Sequence, residues 1–229
     1  SKWLMLPIFL ASLLVGAVSI ERGIYLRKRA VIPGGLVFQL GRLANDDAPF
    51  DPRAAYRICQ QYPSTAARVL RAMLEKVGRP HGEIETTVTE ICDREAERLY
   101  ANVQWLTLSA AVTPLMGLLG TVWGMIRAFH DTTQLAPGQD KADYLAQGIY
   151  TALVTTLGGL VVAIPAAILA HYFESKIQTL FHQIRDLSDQ LSPQLEPYEG
   201  RVRFARDEAA DGSLVPDMKR TIPAEAELG

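Results

Sequence analysis

The sequence predicts an all-α membrane protein, with three transmembrane helices and long cytoplasmic helical extensions. Three observations carry that prediction. Apolar stretches run from Trp3 to Ile20, Leu106 to Ile126 and Ile149 to Phe173, and none contains Asp, Glu, Lys or Arg. Each has roughly the 18 to 25 residues that cross a hydrocarbon core of about 30 Å at about 1.5 Å per residue. The segment between the first two is too long for a plain loop and carries helix start and stop signals. Helical spacing of apolar and charged residues also leads into the second stretch and continues after the third.

The first span, residues 1–21, has two readings. Ala17-Val18-Ser19 resembles the small-residue cleavage site of a signal peptide. The basic cluster Arg22, Arg27, Lys28 and Arg29 lies after the apolar run, however, where a signal peptide carries it before, and this favours a signal-anchor helix. Lys and Arg near span ends stay in the cytoplasm. Four basic residues follow span one, whereas the stretch between spans two and three has Lys141 against Asp131, Asp140 and Asp143. The expected topology is multi-pass, with a periplasmic N-terminus, a periplasmic connector over 130–148 and a cytoplasmic C-terminus. Cys59 and Cys92 then lie in a reducing compartment, where a structural disulfide is not expected.

Residues 22–104 are expected to form a cytoplasmic helical region. Asp51-Pro52 reads as an N-cap followed by Pro at the first helical position, and Pro63-Ser64 opens a helix with Ala67, Leu70, Leu74 and Val77 on one face. Gly78-Arg79-Pro80 ends it. The next helix, from about Gly82, has Glu90 with Arg94 at helical spacing and no strong breaker, so it is expected to run unbroken into span two, residues 105–129. Span three, 149–173, continues into a cytoplasmic helix over 174–192 with Ile177, Leu180, Phe181, Ile184, Leu187 and Leu191 apolar. Pro193 and Pro197 end that helix, and the polar tail 193–229 is expected to be poorly ordered.

Two features of the spans suggest function. Small residues recur in span two at Gly117, Gly120 and Gly124, and in span three at Gly148, Ala152, Thr155, Gly159, Ala163, Ala166 and Ala170. Small side chains let helices approach closely in lipid, which supplies no hydrophobic drive between them. Packing of spans two and three on each other is one reading; the number of turns involved favours oligomerisation into a ring. Hydroxyls are the second feature: Thr113 and Thr121 in span two, and Thr151, Thr155 and Thr156 in span three. One membrane Thr usually bonds its own helix backbone, but this cluster could line an ion path, with Thr121 and Thr156 facing each other at one polar level. The apolar stretches hold no Asp, Glu, Lys or Arg, and His130 and His171 sit at span ends, so a proton carrier would have to come from a partner.

Other function classes find little support. The formal charge of −2 does not suggest a nucleic-acid binder. The chain has no GxxxxGK[ST] loop and no HExxH, and its two cysteines and four histidines lack metal-ligand spacing. The acidic pairs read as solvated helix faces. Neither an enzyme nor a bound metal or cofactor is expected.

The stretches AAVTPLMGLLGTVWGMIRAF (110–129) and GIYTALVTTLGGLVVAIPAAILAHYF (148–173), with EICDREAERLYANVQWLTLSA (90–110) leading in, resemble the MotA/TolQ/ExbB proton-channel family. That resemblance implies a homopentamer in the bacterial inner membrane around two copies of a single-span ExbD/TolR/MotB-like subunit whose membrane Asp carries the proton. It implies a stator that couples the proton-motive force to mechanical work or transport in the cell envelope. Thr121 and Thr156 match the family's pore-facing threonines, and Pro114 the proline that opens span two; Thr155 and Thr151 extend the candidate pore lining. One departure is visible: ExbB and TolQ commonly carry GIxEAL, where this chain reads GIYTAL and places Thr151 at the Glu position. A sodium-driven stator and a passive oligomeric scaffold without ion flow are the alternatives.

Overall fold

The computed structural model describes residues 2–45, 50–135, 140–200, 202–206 and 216–220. Seven α-helices appear there: α1 Lys2–Tyr25, α2 Lys28–Val31, α3 Gly34–Asn45, α4 Pro52–Gln61, α5 Thr65–Leu74, α6 His81–Thr133 and α7 Lys141–Leu191. A 3-10 segment, Ser192–Tyr198, follows. The chain divides into two compact units, Ser1–Ile24 with Leu99–Ser175 and Tyr25–Arg98 with Lys176–Gly229.

The first unit is the membrane unit. All three apolar stretches lie in helices long and apolar enough to cross a bilayer. α6 runs through Pro114 and α7 through Pro165 without a break, although each ring removes one backbone donor, from the carbonyls of Ala110 and Val161 respectively. The helical residues narrow the expected 130–148 connector, because α6 continues to Thr133 and α7 starts at Lys141. Asp140 starts α7: its carboxylate accepts from the backbone N–H of Ala142 at 2.9 Å and of Asp143 at 3.4 Å, satisfying donors that a helix start leaves free. Only 28% of the apolar window in each of α6 and α7 is buried within the chain, against 17% in α1. Most of their apolar surface, including Leu115, Leu119, Val161 and Ile168, therefore requires lipid or another protein.

α1 buries Ile8, Val15 and, unexpectedly, Arg22. These three recur every seven residues, which keeps them on one helix face. The Arg22 guanidinium donates to the Leu99 carbonyl at 3.4 Å, and Asn102 donates to Glu21 at 3.2 Å. The end of α1 is thus fixed to α6 by polar contacts, where its apolar length has run out.

The second unit has a core of large side chains. α4 begins as its sequence predicts, with Asp51 accepting from Arg53 N–H at 2.9 Å and Pro52 at the first position. Ser64 caps α5 by accepting from Ala67 N–H at 3.2 Å. α4 packs on α3 and α5, and α5 on α2. Leu36, Leu40, Tyr56, Leu70, Met73 and Val77 are fully buried there. Gly78 adopts φ 85° and turns the chain into α6, a conformation that costs glycine little. Within this unit α6 buries Ile84, Val88 and Cys92, and α7 buries Ile177, Leu180, Phe181 and Ile184. Arg185 joins the two by donating to Asp93 at 2.9 Å.

Two expectations change here. Glu95 is not on a solvated face: it is buried, with Arg68 at 2.6 Å and Arg98 at 3.0 Å. The tail also holds more structure than its composition suggests. The Tyr198 hydroxyl donates to the Phe50 carbonyl at 2.6 Å, Gly200 N–H donates to the Gly78 carbonyl at 3.2 Å, and Leu195 is buried. Beyond it β1 Val202–Arg206 pairs antiparallel with β2 Pro216–Arg220, Phe204 opposite Met218. The rest of the 193–229 expectation lies outside the described residues.

Candidate functional site

The candidate site is the seam between α6 and α7 in the membrane unit. Its small residues meet each other within one chain, level by level. A Cβ on Gly124 would lie 2.7 Å from the Ala152 Cβ, and one on Gly148 would collide with the Ala128 Cβ. At Gly120 it would strike the Thr155 side chain, 2.9 Å from its Cβ. At Gly117 it would meet the Thr156 Cα at 3.0 Å, and at Gly159 the Thr113 carbonyl at 2.8 Å. From Thr113 to Ala128 this contact extends over about 22 Å of helix axis. Ala152 and Ala163 are buried as well. Missing side chains thus permit backbone-to-backbone approach, which yields dispersion contacts where lipid offers no hydrophobic gain. The stripes that suggested contacts between copies are occupied by contacts inside the chain, because the α6 and α7 stripes match each other turn for turn.

The hydroxyls distribute around the seam and do not form one surface. Thr113 and Thr155 are buried inside it; their hydroxyls donate to the Ser109 carbonyl at 2.5 Å and the Ala152 carbonyl at 2.6 Å. Thr156 is half-buried and donates across the seam to the Gly117 carbonyl at 2.9 Å. Thr121, one turn beyond Gly117, is 8% exposed and donates to the Leu118 carbonyl at 2.7 Å. A carbonyl oxygen can only accept, so the single proton of each hydroxyl is committed and the remaining oxygen lone pairs are left as acceptors. Pro114 is half-buried inside α6, seven residues before Thr121 and therefore on the same side of the helix.

Thr151 stands apart. Five residues separate it from Thr156, about 140° around an α-helix, and it is exposed, donating to the Gln147 and Gly148 carbonyls at 2.6 and 3.1 Å. It lines a cleft of about 290 Å³ on the other flank of the seam, with Trp123, Arg127, Asp131, Tyr144 and Gln147. Arg127 and Asp131 approach to 3.6 Å there. The sequence contained a signal for that pair, its i,i+4 spacing, but the apolar stretch of span two ends at Ile126 and left both outside. Among the described residues no group of three or more His, Cys, Asp or Glu comes together to hold a metal.

With this geometry in view, comparison with known proteins is direct. Residues 61–186, more than half of the chain, match the MotA/TolQ/ExbB proton channel family. The chain is 33% identical to the Tol-Pal system protein TolQ of Pseudomonas aeruginosa over 97 residues, 42% of this chain and 41% of that protein. It is 30% identical to one ExbB-like protein of Synechocystis sp. over 70% of this chain and 62% of the relative. To a second ExbB-like protein of that organism it is 28% identical, over 81% and 87%. The chain thus covers about half the length of the first two relatives. The matched region contains all of the seam, from Thr113 to Gly159, and the chain belongs to the MotA/TolQ/ExbB proton channel family.

Proposed function

We propose that the chain is the subunit of a homopentameric stator in the bacterial inner membrane, with its N-terminus periplasmic and its C-terminus cytoplasmic. The ring encloses two copies of a single-span ExbD/TolR/MotB-like partner whose membrane Asp carries the ion, and couples the proton-motive force to work or transport in the cell envelope. The observation that carries this reading is the hydroxyl flank, Thr121 and Thr156, in apolar stretches that hold no Asp, Glu, Lys or Arg. With their protons committed to the Leu118 and Gly117 carbonyls, these hydroxyls offer lone pairs only. A protonated Asp of the partner can donate to them, whereas an ionised Asp finds no donor. The flank therefore holds the neutral acid at one subunit and disfavours the charged form until it reaches water or another proton source. Repeated around a ring, that preference converts proton flow into stepwise relative movement. The same lone pairs suit Na⁺, which makes a sodium-driven stator the second reading.

The test is expression together with the neighbouring open reading frames, followed by native mass spectrometry and ion flux into vesicles. Five copies with two of the partner, and a proton flux lost in Thr156→Val but kept in Thr156→Ser, are expected. Intact assembly with unchanged flux in Thr156→Val overturns the assignment of the hydroxyl flank. Flux that follows Na⁺ selects the sodium reading. Assembly without any flux in the unsubstituted protein leaves a passive scaffold.

A further inference from the structure

We infer that the outward face of α3, with the basic turn before it, is a docking surface for an anionic lipid bilayer. This does not depend on the stator reading. α3 is apolar on both sides: Leu36 and Leu40 are fully buried in the core of their unit, whereas Phe38 is 66% and Val37 38% exposed. Gly34 and Gly41 flank Phe38 on the exposed side and leave its ring prominent. The inner side is held firmly, since Gly35 lies against the Tyr62 ring and Gln39 donates to the Tyr62 hydroxyl at 3.1 Å. Rotating Phe38 inward would therefore bring out two fully buried leucines, so its exposure is a fixed property of the fold.

Charge and tethering identify the occupant. From Gly23 to Asn45 the sequence has no Asp or Glu but has Arg27, Lys28, Arg29 and Arg42. Arg27, Arg29 and Arg42 are exposed, and Arg42 stands one helical turn from Phe38 on α3. An exposed aromatic ring with a cationic side chain one turn away, in a segment that is basic and free of acidic residues, matches the boundary between acyl chains and anionic headgroups. α3 begins nine residues after Tyr25, the last residue of a candidate membrane span. Even a fully extended linker of that length reaches only about 30 Å, and α2 shortens it. The face is consequently confined near a membrane that the chain already crosses, at an effective concentration no free protein partner would match.

Site-specific fluorescence of the full chain in vesicles tests this. Phe38→Cys carries an environment-sensitive dye, with Arg57→Cys on the exposed side of α4 as the aqueous reference. The buried thiols Cys59 and Cys92 should take up no label, which the unsubstituted chain checks. In vesicles containing phosphatidylglycerol, nitroxide lipids should quench the dye at 38 several-fold more than at 57, and aqueous iodide should quench it less. Combining Arg27→Gln, Arg29→Gln and Arg42→Gln, or using phosphatidylcholine alone, should return position 38 towards the reference. Equal iodide quenching at both positions overturns the inference. Lipid quenching indifferent to the arginines and to phosphatidylglycerol also overturns it, since no anionic surface is then recognised. Disulfide formation between two copies of unlabelled Phe38→Cys, with shielding from both quenchers, assigns the face to a second copy instead.

Discussion

The membrane unit and the second unit both bring helices into close contact, but with opposite choices of side chain. Along the α6–α7 seam the contact is made by glycines, alanines and threonines, and the large apolar residues point away. In the second unit Leu36, Leu70, Met73 and Ile184 point inward, and charged residues cover much of the outside. The difference follows from the solvent. Water drives large apolar side chains together, about 25 cal/mol for each Å² removed from contact with it. Lipid accepts those side chains as readily as a core does, so only shape, backbone approach and hydrogen bonds distinguish a packed helix pair from a separated one. It follows that the two units should fail in opposite ways, one when a side chain is made smaller and the other when it is made larger.

The largest effect is expected from truncation in the second unit. Leu70→Ala removes a side chain that is 1% exposed, and such changes cost about 2–5 kcal/mol. The matched truncation in the membrane unit, Leu118→Ala at a residue 56% exposed on α6, should cost much less in a bilayer or detergent. Thermal unfolding of both variants checks this. Equal losses would mean that Leu118 is packed against protein, as it would be in a ring, and not against lipid.

Enlargement should rank next and reverse the pattern. A methyl group on Gly159 would press on the Thr113 carbonyl and, at 3.2 Å, on the Gly117 Cα, both backbone atoms that cannot rotate away. Gly159→Ala is expected to cost about 1–3 kcal/mol as overpacking. At the neighbouring Gly158 a Cβ would meet nothing within 4 Å, so Gly158→Ala should be neutral or slightly stabilising, as Ala is the better helix former. The two substitutions are the same and sit one position apart, which leaves packing as the only variable. Equal behaviour of the two in thermal unfolding would show that the seam does not hold the helices together.

What the sequence revealed and what it hid divides along the range of the interactions involved. Asp51 was readable as an N-cap and Ser64 as part of a helix start, because a cap is satisfied within three residues. The unbroken α6 was readable from helical spacing without a strong breaker. The small-residue stripes were visible too, but a stripe does not reveal which helix covers it; that emerged only when Gly120 met Thr155 and Gly124 met Ala152. The hydroxyls posed the same difficulty: five threonines were apparent, yet the rotation of two helices decides that Thr121 and Thr156 flank the seam, Thr113 and Thr155 fill it, and Thr151 faces a cleft. Arg22 and Glu95 were hidden for a different reason. A charged residue reads as solvated until its partners are known, and these lie 77 residues away at Leu99 and 27 away at Arg68.

Glu95 also provides the smallest effect and the finest test of the comparison, because its contacts are electrostatic whereas the seam has no charge. Its side chain is only 7% exposed, while those of Arg68 and Arg98 are 55% and 66% exposed. Breaking a fully buried ion pair costs about 3–5 kcal/mol because a charge is stranded without water. Here the stranded groups after Glu95→Gln are the two arginines, and both already reach solvent. The glutamine still accepts a hydrogen bond, so the expected cost is nearer about 1 kcal/mol. Salt separates this contribution from packing: at 1 M the screening length is about 3 Å, so added salt should lower the stability of the unsubstituted chain more than that of Glu95→Gln. The loss caused by Gly159→Ala should not change with salt. If Glu95→Gln and the unsubstituted chain show the same salt dependence, the carboxylate adds nothing by its charge, and its place in the second unit is held by packing and hydrogen bonding.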